Sequence, residues 1–338
     1  MPTLVKPSRL FSDELLIHYR QQGDAPADAV IASVTESGGA VALRTLMNWL
    51  TDTADFGLVG QPDVVQSFFT DYTKLPDWAD QERMKAGRVL FKKHAGLIGL
   101  ILGTYSLPYT YMGANGVQLL WLTERIKNDT VRRLQETGEW VFGVNNSKEW
   151  TSGRAIARTL KVRLIHAGAR WFGLHSGRWN PEWGTPVNQE DMAGTNLAFS
   201  YIVLRGMRKA GITVTEQEEE NYQHHINVIG YLNGVTEELL PANLREAYHL
   251  DRAIARRQFS SSEAGVGLTR ALLDAIAKIG STTTDRPESI RNLAAAQMRL
   301  FLGNAHADAL GIPTVPIEKR IVNVMSRLPI FPTQLLGL

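Results

Sequence analysis

The chain has 338 residues, 44% hydrophobic and 21% charged, with 36 Lys+Arg against 34 Asp+Glu for a formal charge of +2. This is the composition of a globular protein with a sizeable core, and the even balance argues against a nucleic-acid or membrane-surface binder, which needs basic charge gathered on one face. Cysteine is absent, which excludes disulfides, thiolate zinc sites, iron–sulfur clusters, covalently attached c-type haem and a haem iron held by thiolate.

In chain order, the first stretch, MPTLVKPSRLFSDELLIHYRQQGD, has no apolar core of a leader and no twinned arginines. The expected location is therefore cytoplasmic. Residues 21–28 read as irregular. AGLIGLILG at 95–103 is too short to span a bilayer and reads as a buried helix. Helical periodicity then dominates, with helices expected near 115–142, 150–172, 189–210 and 215–233. Thr215 with Glu218 makes a capping box, and Asn243 with Glu246 resembles one. Asn188 with Asp191, and Asp285-Arg286-Pro287-Glu288, are further helix starts, while Gly211 is a stop. The Trp/Gly/Pro-rich 173–187 and the segment 279–287 read as irregular. Neither is long or polar enough for an interdomain linker, and there is no internal repeat, so one all-α domain is expected.

The stretch KVRLIHAGAR at 161–170 sets His166 between Arg163, three residues before it, and Arg170, four after it. On a helix those offsets bring the three side chains to one face, shared with the apolar Val162 and Ala169. One reading is a core histidine bonded to a backbone carbonyl, with Arg170 answering the helix C-terminal dipole and Arg154, Arg158 and Lys161 solvated. The other starts from cost: two half-buried guanidiniums beside an imidazole need negative charge. A haem supplies it, since its iron takes a neutral imidazole and its propionates suit arginine forks. Ala167, Gly168 and Ala169 would let a flat macrocycle approach.

The other histidines, His18, His94, His175, His224, His225, His249 and His306, form no HExxH or two-His-one-carboxylate spacing. His224 and His225 are adjacent and point to different helix faces. There is no GxSxG, phosphate-binding loop or dinucleotide fingerprint.

Several segments resemble, in co-linear order, the family of MpaB-type oxygenases and rubber oxygenases (latex clearing proteins). These are LPDWADQERMKAGRVLFKKH at 75–94, YSLPY at 105–109, RRLQETGEWV at 132–141, RLIHAGAR at 163–170, TPVNQEDMAGTNLAFSYIVLRGMRKAGI at 185–212 and YQHHINVIGYLNGVTEELLP at 222–241. The resemblance covers roughly residues 40–310. It implies an all-α fold with a globin-like core around haem b, His166 as proximal iron ligand, and Arg163 and Arg170 as flanking arginines. Arg133 and Thr137, the Arg-x-x-x-Thr motif, become the catalytic pair of pocket residues, and Trp140 either a pocket wall or plain core. Some relatives carry lysine just before that threonine; here the position is Glu136, which alters polarity if it points inward and nothing if it faces solvent.

The resemblance implies dioxygen as co-substrate and a small apolar substrate, an alkene or isoprenoid, cleaved oxidatively at a carbon–carbon bond. Rubber oxygenases are exported and this chain shows no export signal, so polyisoprene is not the expected substrate. Neither nucleic acid nor stable membrane insertion is expected. The alternatives are a haem carrier or gas sensor without turnover, and a haem-free helical scaffold. The partition expected is an extension over 1–40, the catalytic domain over 41–312, and a tail over 313–338 whose apolar LPIFPTQLLGL docks on its own core.

Overall fold

A computed structural model of the chain describes residues 8–123, 125–281 and 287–315, with the side chains of 125–128 left aside. It is all-α. The elements run α1 (Asp13–Arg20), α2 (Ala25–Thr51), α3 (Asp63–Asp71), α4 (Gln81–Lys93) and α5 (Ala95–Ile101). A π-helical turn (Leu102–Ser106) leads into α6 (Leu107–Tyr111), then α7 (Gln118–Leu122), α8 (Arg125–Val144), α9 (Ser147–Thr151) and α10 (Arg154–His175). The series closes with α11 (Gln189–Phe199), α12 (Tyr201–Lys209), α13 (Glu216–Leu232), α14 (Leu244–Gln258), α15 (Glu263–Ser281), α16 (Pro287–Leu302) and α17 (Asn304–Ala309). Among the described residues no helix is long and apolar enough to cross a membrane.

The four expected helices lie where periodicity put them, but three are broken. The 115–142 helix is α7 and α8, and α8 is kinked at Asp129, with φ −147° and ψ 39°. The 150–172 helix is α9 and α10, parted by Gly153 at φ 76°, a left-handed conformation that costs glycine nothing. The 189–210 helix breaks at Ser200, whose φ −113° and ψ −84° are not helical. Only 215–233 is continuous, as α13, and its capping box is complete: Glu218 N donates to Thr215 Oγ1 and Thr215 N to Glu218 Oε2. Asn188 and Asn243 cap the amides of Asp191 and Glu246. The Glu246 carboxylate also accepts from Arg9 and from the Ala242 amide. α10 and α15 each run three residues into segments expected to be irregular, to His175 and Ser281, and α2 begins at Ala25 inside another. Pro287 does open α16, while Asp285, Arg286 and the LPIFPTQLLGL tail lie outside the described residues.

The chain groups into two compact units. The first comprises Met1–Val89, Gly143–Leu197 and Thr215–Arg257. Its main core joins α2 (Val30, Ile31, Val34, Leu43, Leu46, Trp49, Leu50), α3 (Val65, Phe68, Phe69) and α10 (Leu160, Leu164, Ala167). Burying each large side chain of this kind stabilises by about 1.5–3 kcal/mol, which makes the α2–α10 seam the anchor of the unit. A smaller cluster sets Met84 of α4 against Val228 and Leu232 of α13.

The second unit comprises Leu90–Phe142, Ala198–Val214 and Gln258–Leu338. Its centre is the run α5, π turn and α6, which begins with the stretch 95–103 expected to be a buried helix: Ile98, Leu100, Ile101, Leu102 and Tyr105 are all buried. Tyr105 in the π turn stacks on Phe301 of α16 with centroids 5.3 Å apart and planes 11° apart. Gly206 of α12 lets that helix approach so closely that a Cβ there would lie 2.5 Å from Ile101 Cγ2.

Candidate active site around the histidine helix

α10 has two sides of different chemistry. Leu160, Leu164 and Ala167 pack into the α2 seam. Gly168 belongs to that side as well: a Cβ on it would stand 2.6 Å from Met47 Sδ. The smallness of Ala167 and Gly168, which the sequence reading assigned to the approach of a macrocycle, thus serves the approach of α2. His166 projects away from Leu164, about 200° round the helix, and is half-buried.

The two flanking arginines are buried and each has a carboxylate partner from the start of α2. Arg163 forks onto Asp24, Nε to Oδ2 at 2.6 Å and Nη2 to Oδ1 at 2.9 Å. Its guanidinium also lies over the rings of Tyr72 and Phe68, 4.7 and 5.4 Å from their centroids. Arg170 donates Nε to Asp28 Oδ1 and Nη1 to the Val187 carbonyl, both at 2.7 Å, while its Nη2 is buried with no hydrogen-bond partner. Val187 holds a left-handed φ of 49°, unfavourable for a β-branched residue, with its carbonyl gripped by Arg170. Burial raises the Asp28 carboxyl above its usual range, opposed by the Arg170 charge. The negative charge sought for these arginines is therefore present inside the protein.

The loops around the ion pairs are tied together by Gln189. Its Nε2 donates to the carbonyls of Gly23 and Gly234, at 2.8 and 2.9 Å, and its Oε1 accepts from Thr236 N at 2.8 Å.

Lys161 departs from the sequence reading. It is buried, not solvated, and its ammonium caps the chain end of α2 by donating to the carbonyls of Trp49, Asp52 and Asp55 at 2.8, 2.8 and 2.5 Å. It also sits 4.2 Å from the Trp49 ring centroid. Burial pushes its pKa down to about 8, against the pull of Asp55 and Asp52. Arg158 is half-buried, facing Phe56 and Glu149.

Arg133 and Thr137 lie on α8 in the second unit, both half-buried and one turn apart. Arg133 stands close enough to Tyr111 of α6 for its charge to oppose the upward push of burial on that phenol. Glu136 does not point inward: it pairs with Arg132 at 2.9 Å, the two side chains 31% and 56% exposed. Trp140 meets Phe199 edge-on at 5.2 Å, and its Nε1 is buried without a partner.

His224 and His225 do face different ways. His224 Nε2 accepts from Asp80 N at 3.0 Å beside Trp78. His225 Nε2 meets the Val144 carbonyl at 3.2 Å beside Trp150. Burial, with the charge of Arg83 on one and Arg88 on the other, pushes them down to about 4 and about 3, so both are neutral at pH 7. Sequence reasoning missed Asp24, Asp28 and Gln189. The four-residue spacing of the two acids was the only local signal, and it fell in a segment read as irregular.

Residues 92–328 match the family model described as ER-bound oxygenase mpaB/B'/Rubber oxygenase, catalytic domain. The chain belongs to this family. It is thereby an oxidoreductase of the MpaB/rubber oxygenase type, as the ordered motifs implied. His166, Arg163, Arg170, Arg133 and Thr137 all lie inside the matched interval, whereas Asp24 and Asp28 precede it. The chain is 24% identical over 304 residues to the rubber oxygenase of Streptomyces sp. (strain K30), covering 88% of this chain and 73% of that protein. It also shares the fold of latex clearing protein in its closed state, with a TM-score of 0.71 at 21% identity over 94% of this chain and 91% of that one.

Proposed function

We propose that this MpaB/rubber oxygenase family member is a haem b-dependent oxygenase that uses dioxygen to attack a small apolar, isoprenoid- or alkene-like substrate. The observation that carries the proposal is the placement of His166: a half-buried imidazole turned away from the α2 seam, on a helix whose neighbouring positive charges are already balanced.

The donor set suits the cofactor. Among the described residues no group of three histidines or carboxylates could hold a metal ion. A porphyrin brings four ligands of its own and asks one imidazole of the protein, which His166 can give. Arg170 Nη2, buried and without an acceptor, is the donor available to a cofactor carboxylate. Arg163 is engaged by Asp24, so its part in this proposal is to hold the helix beside the cofactor. Haem, when bound, supplies an iron that activates dioxygen. Arg133 and Thr137 are the proposed catalytic pair, a guanidinium and a hydroxyl that orient polar groups of the reactants. The rubber oxygenase relative acts, by its name, on rubber; a shorter apolar alkene is the substrate class proposed for this chain.

The test is the absorption spectrum of protein expressed with haem, beside His166→Ala, followed by single-turnover mixing of reduced protein with dioxygen and candidate alkenes. A Soret band changed by the substitution, and alkene-dependent oxygen consumption, are expected. No Soret band after haem reconstitution would leave a haem-free scaffold. A band with oxygen release but no product from any alkene would favour the carrier or sensor reading.

A further inference from the structure

A ligating histidine needs more than a helix to stand on. An α-helix packed through Leu160, Leu164 and Ala167 is held by apolar contacts, and these are non-directional. They leave small rotations and slides cheap, and a turn of one residue step, 100°, would sweep His166 away from any fixed point. Directional bonds on both sides of the histidine would remove that freedom.

The first unit contains such a pair. Arg163 and Arg170 are separated by two helical turns, about 10 Å of rise, with His166 between them. Each bonds a carboxylate on the same short stretch, Asp24 and Asp28, a single turn apart where α2 begins. The stretch is itself braced, because Asp24 N donates to Asp28 Oδ2 at 3.2 Å. Two glycines mould the loops to the ion pairs. A Cβ at Gly23 would lie 2.7 Å from Arg170 Nε and from Asp28 Oδ2, and one at Gly234 would lie 2.7 Å from Arg163 Nε. Gln189 bonds the carbonyls of both glycines, so the two loops are fastened to one side chain.

We infer that Asp24 and Asp28, joined to Arg163 and Arg170, form a two-point clasp that sets the rotation and height of α10 and so positions the His166 imidazole that would hold the haem. The inference rests on the haem reading above. Asp24 and Asp28 are positioning residues acting through the two arginines, and they come from a segment that precedes the family-matched interval. The N-terminal stretch is then a working part of the cofactor site. Because both ion pairs close within the protein, the clasp exists before the cofactor arrives.

Asp24→Asn and Asp28→Asn keep shape and remove charge, and are compared with wild type in two measurements on the full chain. With haem bound, the iron–histidine stretching band and the rate of haem transfer to a scavenging globin are read at unchanged helical circular dichroism. The expected result is a shifted or split band and a haem loss rate about tenfold or more above wild type, the scale seen when partners of metal ligands are removed. Without haem, amide exchange of residues 162–170 is expected to quicken in both variants. Wild-type band, loss rate and exchange in both would overturn the clasp. Should Asp24→Asn fail to fold, Asp28→Asn, at a carboxylate 38% exposed, decides on the same readouts, with Asp28→Glu expected to restore them. A wild type that takes up no haem sinks the haem reading instead, and the exchange measurement still decides the clasp.

Discussion

Arg163 and Asp24, 139 positions apart in sequence, meet in a buried fork with both hydrogen bonds at 2.9 Å or shorter. Removing either partner strands the other charge in a place where water does not reach, at a cost of about 3–5 kcal/mol. Arg163→Ala and Asp24→Ala should each lower the unfolding free energy of the haem-free protein, read from urea titration, by that amount. The double variant should lose much less than their sum, since no charge is left alone. Additive losses in a double-mutant cycle would show that the two side chains do not act together.

The three carbonyls held by Lys161 predict a second stability effect. Lys161→Met keeps the stem but removes every donor that the ammonium offers to the carbonyls of Trp49, Asp52 and Asp55, and Trp49 keeps only the Asp52 amide. A loss of about 1–3 kcal/mol is expected, concentrated where α2 ends. Thermal unfolding checks it, and a variant as stable as wild type would mean the ammonium had been a solvated surface group.

His224 and His225 give the acid limb. Both fold neutral, with pKa values pushed down to about 4 and about 3, against 6.5 when unfolded. The unfolded chain therefore binds more protons below pH 6.5, and stability falls as pH drops from there through the folded values. By pH 5.5 the loss should be about 1 kcal/mol per histidine. Urea midpoints between pH 7.5 and 5 measure it, and His225→Phe should flatten the slope by its share. An equally steep slope in that variant would place the titrating groups elsewhere.

Arg133→Ala and Thr137→Ala test the catalytic pair. As proposed catalytic groups they should leave haem content and the His166-dependent spectrum in place while cutting alkene-dependent oxygen consumption by about a hundredfold or more. Full activity in both would remove them from the reaction. Glu136→Lys, which breaks only an i,i+4 pair with Arg132 at the surface, should change stability by less than about 0.5 kcal/mol and leave activity unaltered.

Glycine 168 offers a packing test. A Cβ there would stand 2.6 Å from Met47 Sδ, so Gly168→Val should displace the Met47 side chain from the seam and destabilise by about 1–3 kcal/mol. Pairing it with Met47→Ala, which clears the space, should recover part of the loss.

How much of this was written in the sequence differs by residue. The all-α class, the α13 capping box, the opposed faces of His224 and His225, and the helix carrying Arg163, His166 and Arg170 follow from local rules: a period of 3.6, a cap three residues from its partner, an offset of three or four on one face. Those rules act within a dozen residues and need no knowledge of the fold. The family, too, was legible, because its motifs stand in order along the chain. The breaks at Asp129 and Ser200 were not, since neither residue type marks a break. Nor was the fate of the charges. Burial of Lys161, the outward turn of Glu136 and the pairing of Arg163 with Asp24 depend on which segment arrives beside a given helix face. A lone arginine carries the same cost of burial whether its partner is a cofactor or an aspartate 139 residues away; only the packing of α2 against α10 decides which one is there.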